Sequence, residues 1–304
     1  MVIGHQKQLN YLKRMIESGK IPHALLFSGQ EKLGKKTIAL EFLSQLFHEN
    51  PLQHPDFILI EPQGKHPEAE RSSLRGSPAP SSVLVRGQIQ INQIRDLAFR
   101  LSLKPIKAQL KAAIIDEAHS MTKEAQNCFL KTLEEPKGNT LLILVTQLPN
   151  FLLPTIISRC EIIKFYPVRD EEIRNYLKEK GISEEKIEEI LETSLGKPGR
   201  AIDLLKNPEK LKERKEREKK LIKILKSPLF SRFQYAQELS KTPDLKETLN
   251  EWLFYFRNIF ISKSSEFNLE RVKNILNVLQ RIIFLLSTTN VNQRLALEIL
   301  MMEF

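Results

Sequence analysis

Residues 23–37 read HALLFSGQEKLGKKT, and helical spacing then restarts at Ile38, Phe42 and Leu46. A short apolar run ends in glycine, a loop follows, and a helix begins. This is the context that a phosphate-binding loop requires, and it constrains the fold more than any other stretch. In such loops successive backbone N–H groups face an anion at a helix N-terminus, where the helix dipole also favours negative charge. The pattern G-x-x-x-x-G-K-[ST] holds at Gly29, Gly34 and Lys35 and then fails. Lys36 stands where the hydroxyl that holds Mg²⁺ belongs. Thr37 comes one place late, roughly 100° further round the helix, and does not simply substitute. The plain alternative is a glycine-bearing turn that binds nothing.

The surrounding pattern extends the unit into a sheet. DFILIEP (56–62), KAAIIDE (111–117), TLLILVT (140–146) and CEIIKF (160–165) read as further strands. Helical spacing intervenes at 5–18, after a strand-like entry at 89, and at 122–136, where Pro136 stops the helix. Strands alternating with helices predict an α/β domain over 1–166 with a mostly parallel, doubly wound sheet. Residues 64–87, rich in Pro, Ser and Gly, read as a flexible insertion. Beyond 166 the strand signals stop. Three short helical segments separated by glycines occupy 167–207, and 208–304 reads as helix throughout, with no internal repeat.

Charge and cysteine content narrow the function. The 304 residues carry a net charge of +10, which favours polyanionic partners, nucleic acid first. Cys128 and Cys160 are the only cysteines, so neither a thiolate zinc site nor a disulfide framework is expected, and a reducing cytoplasm fits. The first 20 residues lack an apolar signal core. Residues 138–158 carry no charge, but Pro149, Pro154 and scattered Asn, Thr and Gln argue for a buried strand and loop over a membrane span.

Two more motifs bear on chemistry. In IIDEAH (114–119) an apolar strand delivers Asp116 and Glu117 at its end, the second half of a nucleotide-hydrolysing site. Asp116 would orient the water shell of a metal, and Glu117 would polarise the attacking water. The letters DEAH also suggest a helicase box, but no other helicase box accompanies them. In SRC (158–160), Arg159 would by itself read as a solvated surface charge.

GQEKLGKKT, IIDEAH, LKTLEEP, LLPTIISRC and LGKPGRA, in this order and spacing, resemble the clamp-loader branch of the AAA+ ATPases. The resemblance spans nearly the whole chain and is most specific from Asp116 to Cys160. It implies an AAA+ sheet domain, a three-helix lid over 167–207, and an all-α collar for oligomerisation over 208–304. It implies a subunit of an open five-membered ring that loads a sliding clamp onto primed DNA. Arg159 becomes an arginine finger supplied in trans to a neighbour's ATP, where a guanidinium stabilises charge on the transferring phosphate. Thr146 falls at the sensor 1 position and Arg200 at the sensor 2 position.

The chain also departs from that family. A four-cysteine zinc module is missing: the region reads LFHENPLQHPDF, and His48 and His54 alone do not make a structural zinc site. Lys36 argues against hydrolysis. The expected role is therefore a stator that closes one end of the ring and lends Arg159 to its neighbour, with no required cofactor and with ATP binding left open. Expected partners are a gamma/tau-like ATPase, a delta-like subunit, the sliding clamp indirectly, and DNA through its phosphates. The basic run over 206–226, ten Lys/Arg against four Asp/Glu, reads as a solvated helix face. Two alternatives stand: a gamma/tau-like motor subunit, and a stand-alone AAA+ DNA-repair ATPase.

Overall fold

A computed structural model describes residues 2–62, 87–242, 245–262, 268–288 and 291–304. The insertion expected at 64–87 lies outside the described residues except for Gly87. Backbone contacts divide the chain into two compact units, Met1–Leu205 and Lys206–Phe304.

The first unit is built on five parallel strands: β1 (Ala24–Ser28), β2 (Phe57–Ile60), β3 (Lys111–Ile115), β4 (Thr140–Thr146) and β5 (Glu161–Lys164). Their order across the sheet is β2-β3-β4-β1-β5. The uninterrupted apolar runs follow from burial on both faces. Leu26, Ala113, Ile115, Leu142 and Leu144 point to one side and pack with Ile94, Leu97 and Phe129. Leu25, Phe27, Ile114, Ile143 and Val145 point to the other and pack with Leu12, Ile38, Phe42 and Leu43. The helices that supply those partners are α1 (Gln6–Ser18), α2 (Lys35–Phe47), α3 (Ile91–Ser102) and α4 (Lys123–Glu134).

Local chemistry sets the helix ends. Thr122 caps α4, its hydroxyl accepting from the Ala125 N–H at 3.2 Å, and Pro136 follows its last turn. The charge-free stretch 138–158 resolves into β4, a single turn at Pro149–Phe151 and the short α5 (Pro154–Ile157). No described helix is long and apolar enough to cross a membrane.

A compact knot lies between α2 and β2, where the sequence reads LFHENPLQHPDF. His54 is buried and stacks on Phe47, ring centroids 4.1 Å apart. Its Nδ1 accepts from the Asp56 N–H at 3.1 Å, and its Nε2 lies 3.2 Å from Glu49 Oε1. The buried Asp56 carboxylate accepts three backbone N–H bonds, from Ile106, Lys107 and Ala108, at 2.7–2.9 Å. Side chains thus tie this loop to the one that precedes β3.

Three short helices complete the unit: α6 (Asp170–Glu179), α7 (Glu184–Ser194) and α8 (Pro198–Lys206). The second unit is all helical, with α9 (Pro208–Leu225), α10 (Leu229–Leu239), α11 (Leu245–Ser262), α12 (Leu269–Thr288) and α13 (Gln293–Glu303). Trp252, Phe256, Leu279, Leu297, Leu300 and Phe304 lie in its core.

Candidate nucleotide-binding site

Parallel strands bring their C-terminal ends to one edge of the sheet, where ligands of such folds bind. The loop after β1, Glu61 after β2, Asp116 and Glu117 after β3 and Thr146 at the end of β4 all converge there.

Glycine is required at Gly29 by close approach. Its φ is +157°, and an added Cβ would lie 2.4 Å from the Phe165 carbonyl oxygen. Gly34 has φ +86° with open space around it, so there only the backbone conformation asks for glycine. Gly34 precedes α2 with no side-chain cap, so the first turn of α2 presents backbone N–H groups at the loop.

The loop lysine is folded back onto its own loop. Lys35 is 6% exposed, and its Nζ donates to the carbonyls of Gly29 and Gln30 at 2.6 and 2.5 Å. Burial, only partly offset by the Asp116 charge, lowers its pKa to about 8. Lys36 points to the acids. Its Nζ lies 2.5 Å from Glu61 Oε1 and 3.3 Å from Asp116 Oδ2. Burial alone would lower its pKa, but the bond to Glu61 and the charge of Asp116 outweigh that and raise it. Thr37 is exposed.

Mg²⁺ takes oxygen ligands in a near-octahedral shell. Here the hydroxyl is missing, and one oxygen each of Glu61 and Asp116 is engaged by the Lys36 ammonium. The other Asp116 oxygen accepts from the Glu117 N–H at 3.0 Å. This donor set does not fit a divalent cation. No cluster of three or more His, Cys, Asp or Glu side chains suited to a metal occurs among the described residues.

The remaining candidates frame the loop. Glu117 adopts a left-handed conformation, φ 49° and ψ 46°, and starts the tight turn Ala118–Ser120. Thr146 is buried and links three segments. Its carbonyl accepts from the Gly29 N–H at 3.2 Å, its hydroxyl accepts from the Leu148 N–H at 3.1 Å, and it lies 3.3 Å from His119 Nδ1. Arg200 sits half-buried on α8, one residue after Gly199, whose backbone meets the loop. That helix is latched down: Gly199 N–H donates to the Lys32 carbonyl at 2.8 Å, and Lys32 Nζ lies 2.6 Å from Asp203 Oδ2.

Arg159 lies elsewhere. It precedes the start of β5, while the loop follows the end of β1, which pairs with β5 in parallel from Leu25↔Glu161 to Ser28↔Lys164. The four residues of β5 alone put roughly 13 Å between these levels. Arg159 is therefore at the opposite edge of the sheet from its own loop. Its Nη1 donates to the Thr155 carbonyl at 2.9 Å, and its Nη2 lies 2.7 Å from Glu134 Oε1.

Glu61, Glu134, Asp203 and Asp56 were not singled out from sequence, and His54 was weighed there only as a zinc ligand, not as the packed partner of Phe47 and Glu49. Of these, Glu61 was readable, since it is an acid directly after an apolar strand.

Residues 4–169 match the family model described as DNA polymerase III, delta subunit. The chain is similar to DNA polymerase III subunit delta' of Bacillus subtilis, 29% identical over 217 residues, 66% of this chain and 59% of that protein. It is similar to the subunit of the same name from Pseudomonas aeruginosa, 30% identical over 45% of this chain and 41% of that one. It is also similar to replication factor C subunit 3 of Blastobotrys adeninivorans, 28% identical over 67% of this chain and 55% of that one. The matched segments span less than two thirds of each of these relatives. The fold resembles that of a DNA polymerase III gamma subunit-related protein from Thermotoga maritima, TM-score 0.54, 24% identical, covering 97% of each chain.

Proposed function

This chain belongs to the DNA polymerase III delta subunit family, and on that premise we propose that it is a clamp-loader subunit of the delta-prime kind. It works in DNA replication, helping to load a sliding clamp onto primed DNA. It acts as a non-hydrolysing stator within a hetero-oligomer of gamma/tau-like and delta-like subunits. Arg159 serves the ATP of the neighbouring subunit. Contacts to DNA are to phosphates, and a cytoplasmic location goes with the role.

The observation that carries this reading is the position of Arg159 across the sheet from its own loop. At that distance the guanidinium cannot stabilise charge on a phosphate held at Gly34 and Lys35, which supports a role at a phosphate outside this chain's own loop. A gamma/tau-like motor would need a metal-holding hydroxyl after Lys35, and Lys36 is there instead.

The test is reconstitution of the complex with wild-type partners and Arg159→Ala in this subunit alone. The variant should fold and assemble, because surface changes usually stay within about 0.5 kcal/mol. The DNA- and clamp-stimulated ATPase, which resides in other chains, should be lost. Arg159→Lys should not rescue it, because a point charge lacks the planar fork. Full stimulated activity in an assembled Arg159→Ala complex overturns the reading.

A further inference from the structure

We infer that Lys36 is the resident cation of this site, its ammonium holding Glu61 and Asp116 in the place where a hydrolysing site of this pattern keeps a divalent metal. The inference deepens the stator reading and rests on its view of residues 29–36 as a phosphate loop that no longer supports hydrolysis.

Two carboxylates from separate strand ends meet at one ammonium. Glu61 follows β2 and Asp116 follows β3, and these strands are adjacent and parallel. The Glu61 backbone is fixed by its carbonyl, which accepts from Gln93 Nε2 at 2.9 Å. Asp116 N–H donates to the Ile60 carbonyl at 2.9 Å. Both acids are thus held to the sheet edge whether or not a cation is present, and like charges so placed repel. The side chains of Lys36, Glu61 and Asp116 are only 32%, 30% and 20% exposed, so water screens them incompletely. The ammonium relieves the repulsion at 2.5 and 3.3 Å.

The substitution keeps one property of the metal and loses others. A tethered ammonium neutralises carboxylates and donates hydrogen bonds, but it offers no open coordination position. It therefore cannot bridge phosphate oxygens or orient a metal-bound water. The fold retains a filled acid cluster, and the chain supplies its own cation at every metal concentration.

The experiment titrates Mn²⁺ into the full chain and reads bound metal by electron paramagnetic resonance and stability by thermal unfolding. Wild type, Lys36→Ser and the charge-reduced Lys36→Ser/Glu61→Gln are compared. Wild type should retain no Mn²⁺ and should unfold at the same temperature with and without it. Lys36→Ser should unfold at a lower temperature, bind Mn²⁺ at least about tenfold tighter than wild type, and recover part of the loss on adding the metal. The double variant, with one repelling charge fewer, should fold more stably than the single variant and bind Mn²⁺ between the two. Should Lys36→Ser not fold, the double variant against wild type decides. Wild-type affinity within a few-fold of that of Lys36→Ser overturns the inference, as does a Lys36→Ser protein that folds with unchanged stability and takes no metal. Neither outcome touches the Arg159→Ala test, so the two ideas fail separately.

Discussion

The Arg159 guanidinium is paired with Glu134, Nη2 to Oε1 at 2.7 Å, at the end of α4. Both side chains are more than a third exposed, so water screens the pair and it contributes little to stability. Under the role proposed above its consequence is for availability: to meet a neighbour's phosphate the guanidinium must first leave this carboxylate. Glu134→Ala should therefore leave thermal unfolding nearly unchanged and raise the stimulated ATPase of the assembled loader by at most about fivefold, the equivalent of about 1 kcal/mol. A lower rate would mean that Glu134 orients Arg159 rather than competing for it, and an unchanged rate that it does neither.

Lys35 predicts an alkaline gain in stability. Its pKa is lowered from 10.5 to about 8 in the folded protein, chiefly by burial. Between those values the unfolded chain binds more protons than the folded one, so the lysine's contribution to stability rises with pH across that window. Below about pH 8 the folded protein carries a buried charge at a cost of up to about 3 kcal/mol, and near pH 10.5 that cost is gone. Wild type should therefore gain on Lys35→Met as pH rises from 8 to 10, measured by denaturant unfolding at each pH. Parallel pH profiles for the two proteins would contradict this.

The knot at Asp56 predicts the opposite pH dependence. Burial pushes its carboxyl pKa up, but three backbone N–H bonds and the nearby His54 outweigh that, and the net shift is downward from 3.8. Its stabilising effect is full above about pH 4 and is lost as pH falls through the lowered value. Asp56→Ala should cost about 3 kcal/mol at pH 7, because three N–H groups lose a charged acceptor. It should also flatten the acid limb of the stability profile. His54→Ala, which removes the Phe47 stack, should cost about 1–3 kcal/mol. A stability loss on chelation in wild type would instead point to a bound metal.

The uninterrupted apolar runs that are buried on both faces in β1, β3 and β4 are written in consecutive residues, and so the parallel sheet was legible in the sequence. So was the glycine loop, since Gly29 and Gly34 mark where the backbone takes positive φ. Pro136, Gly181 and Gly196 each follow the last turn of a helix. Local signals of this kind depend on a few neighbouring residues and survive without knowledge of the fold.

The partners of the site residues were not legible. Lys36 was readable as a missing hydroxyl, but its two acids come from positions 25 and 80 residues further along the chain. Asp203 reaches Lys32 across 171 positions, and Arg159 finds Glu134 by the route the chain takes between β4 and β5. From sequence alone, the residue after Lys35 says what the loop lacks. Tertiary structure alone decides what fills the gap, because the strand order β2-β3-β4-β1-β5 sets which strand ends are adjacent. That order arises from how the crossover helices pack on the sheet, and no periodicity within a single segment encodes it.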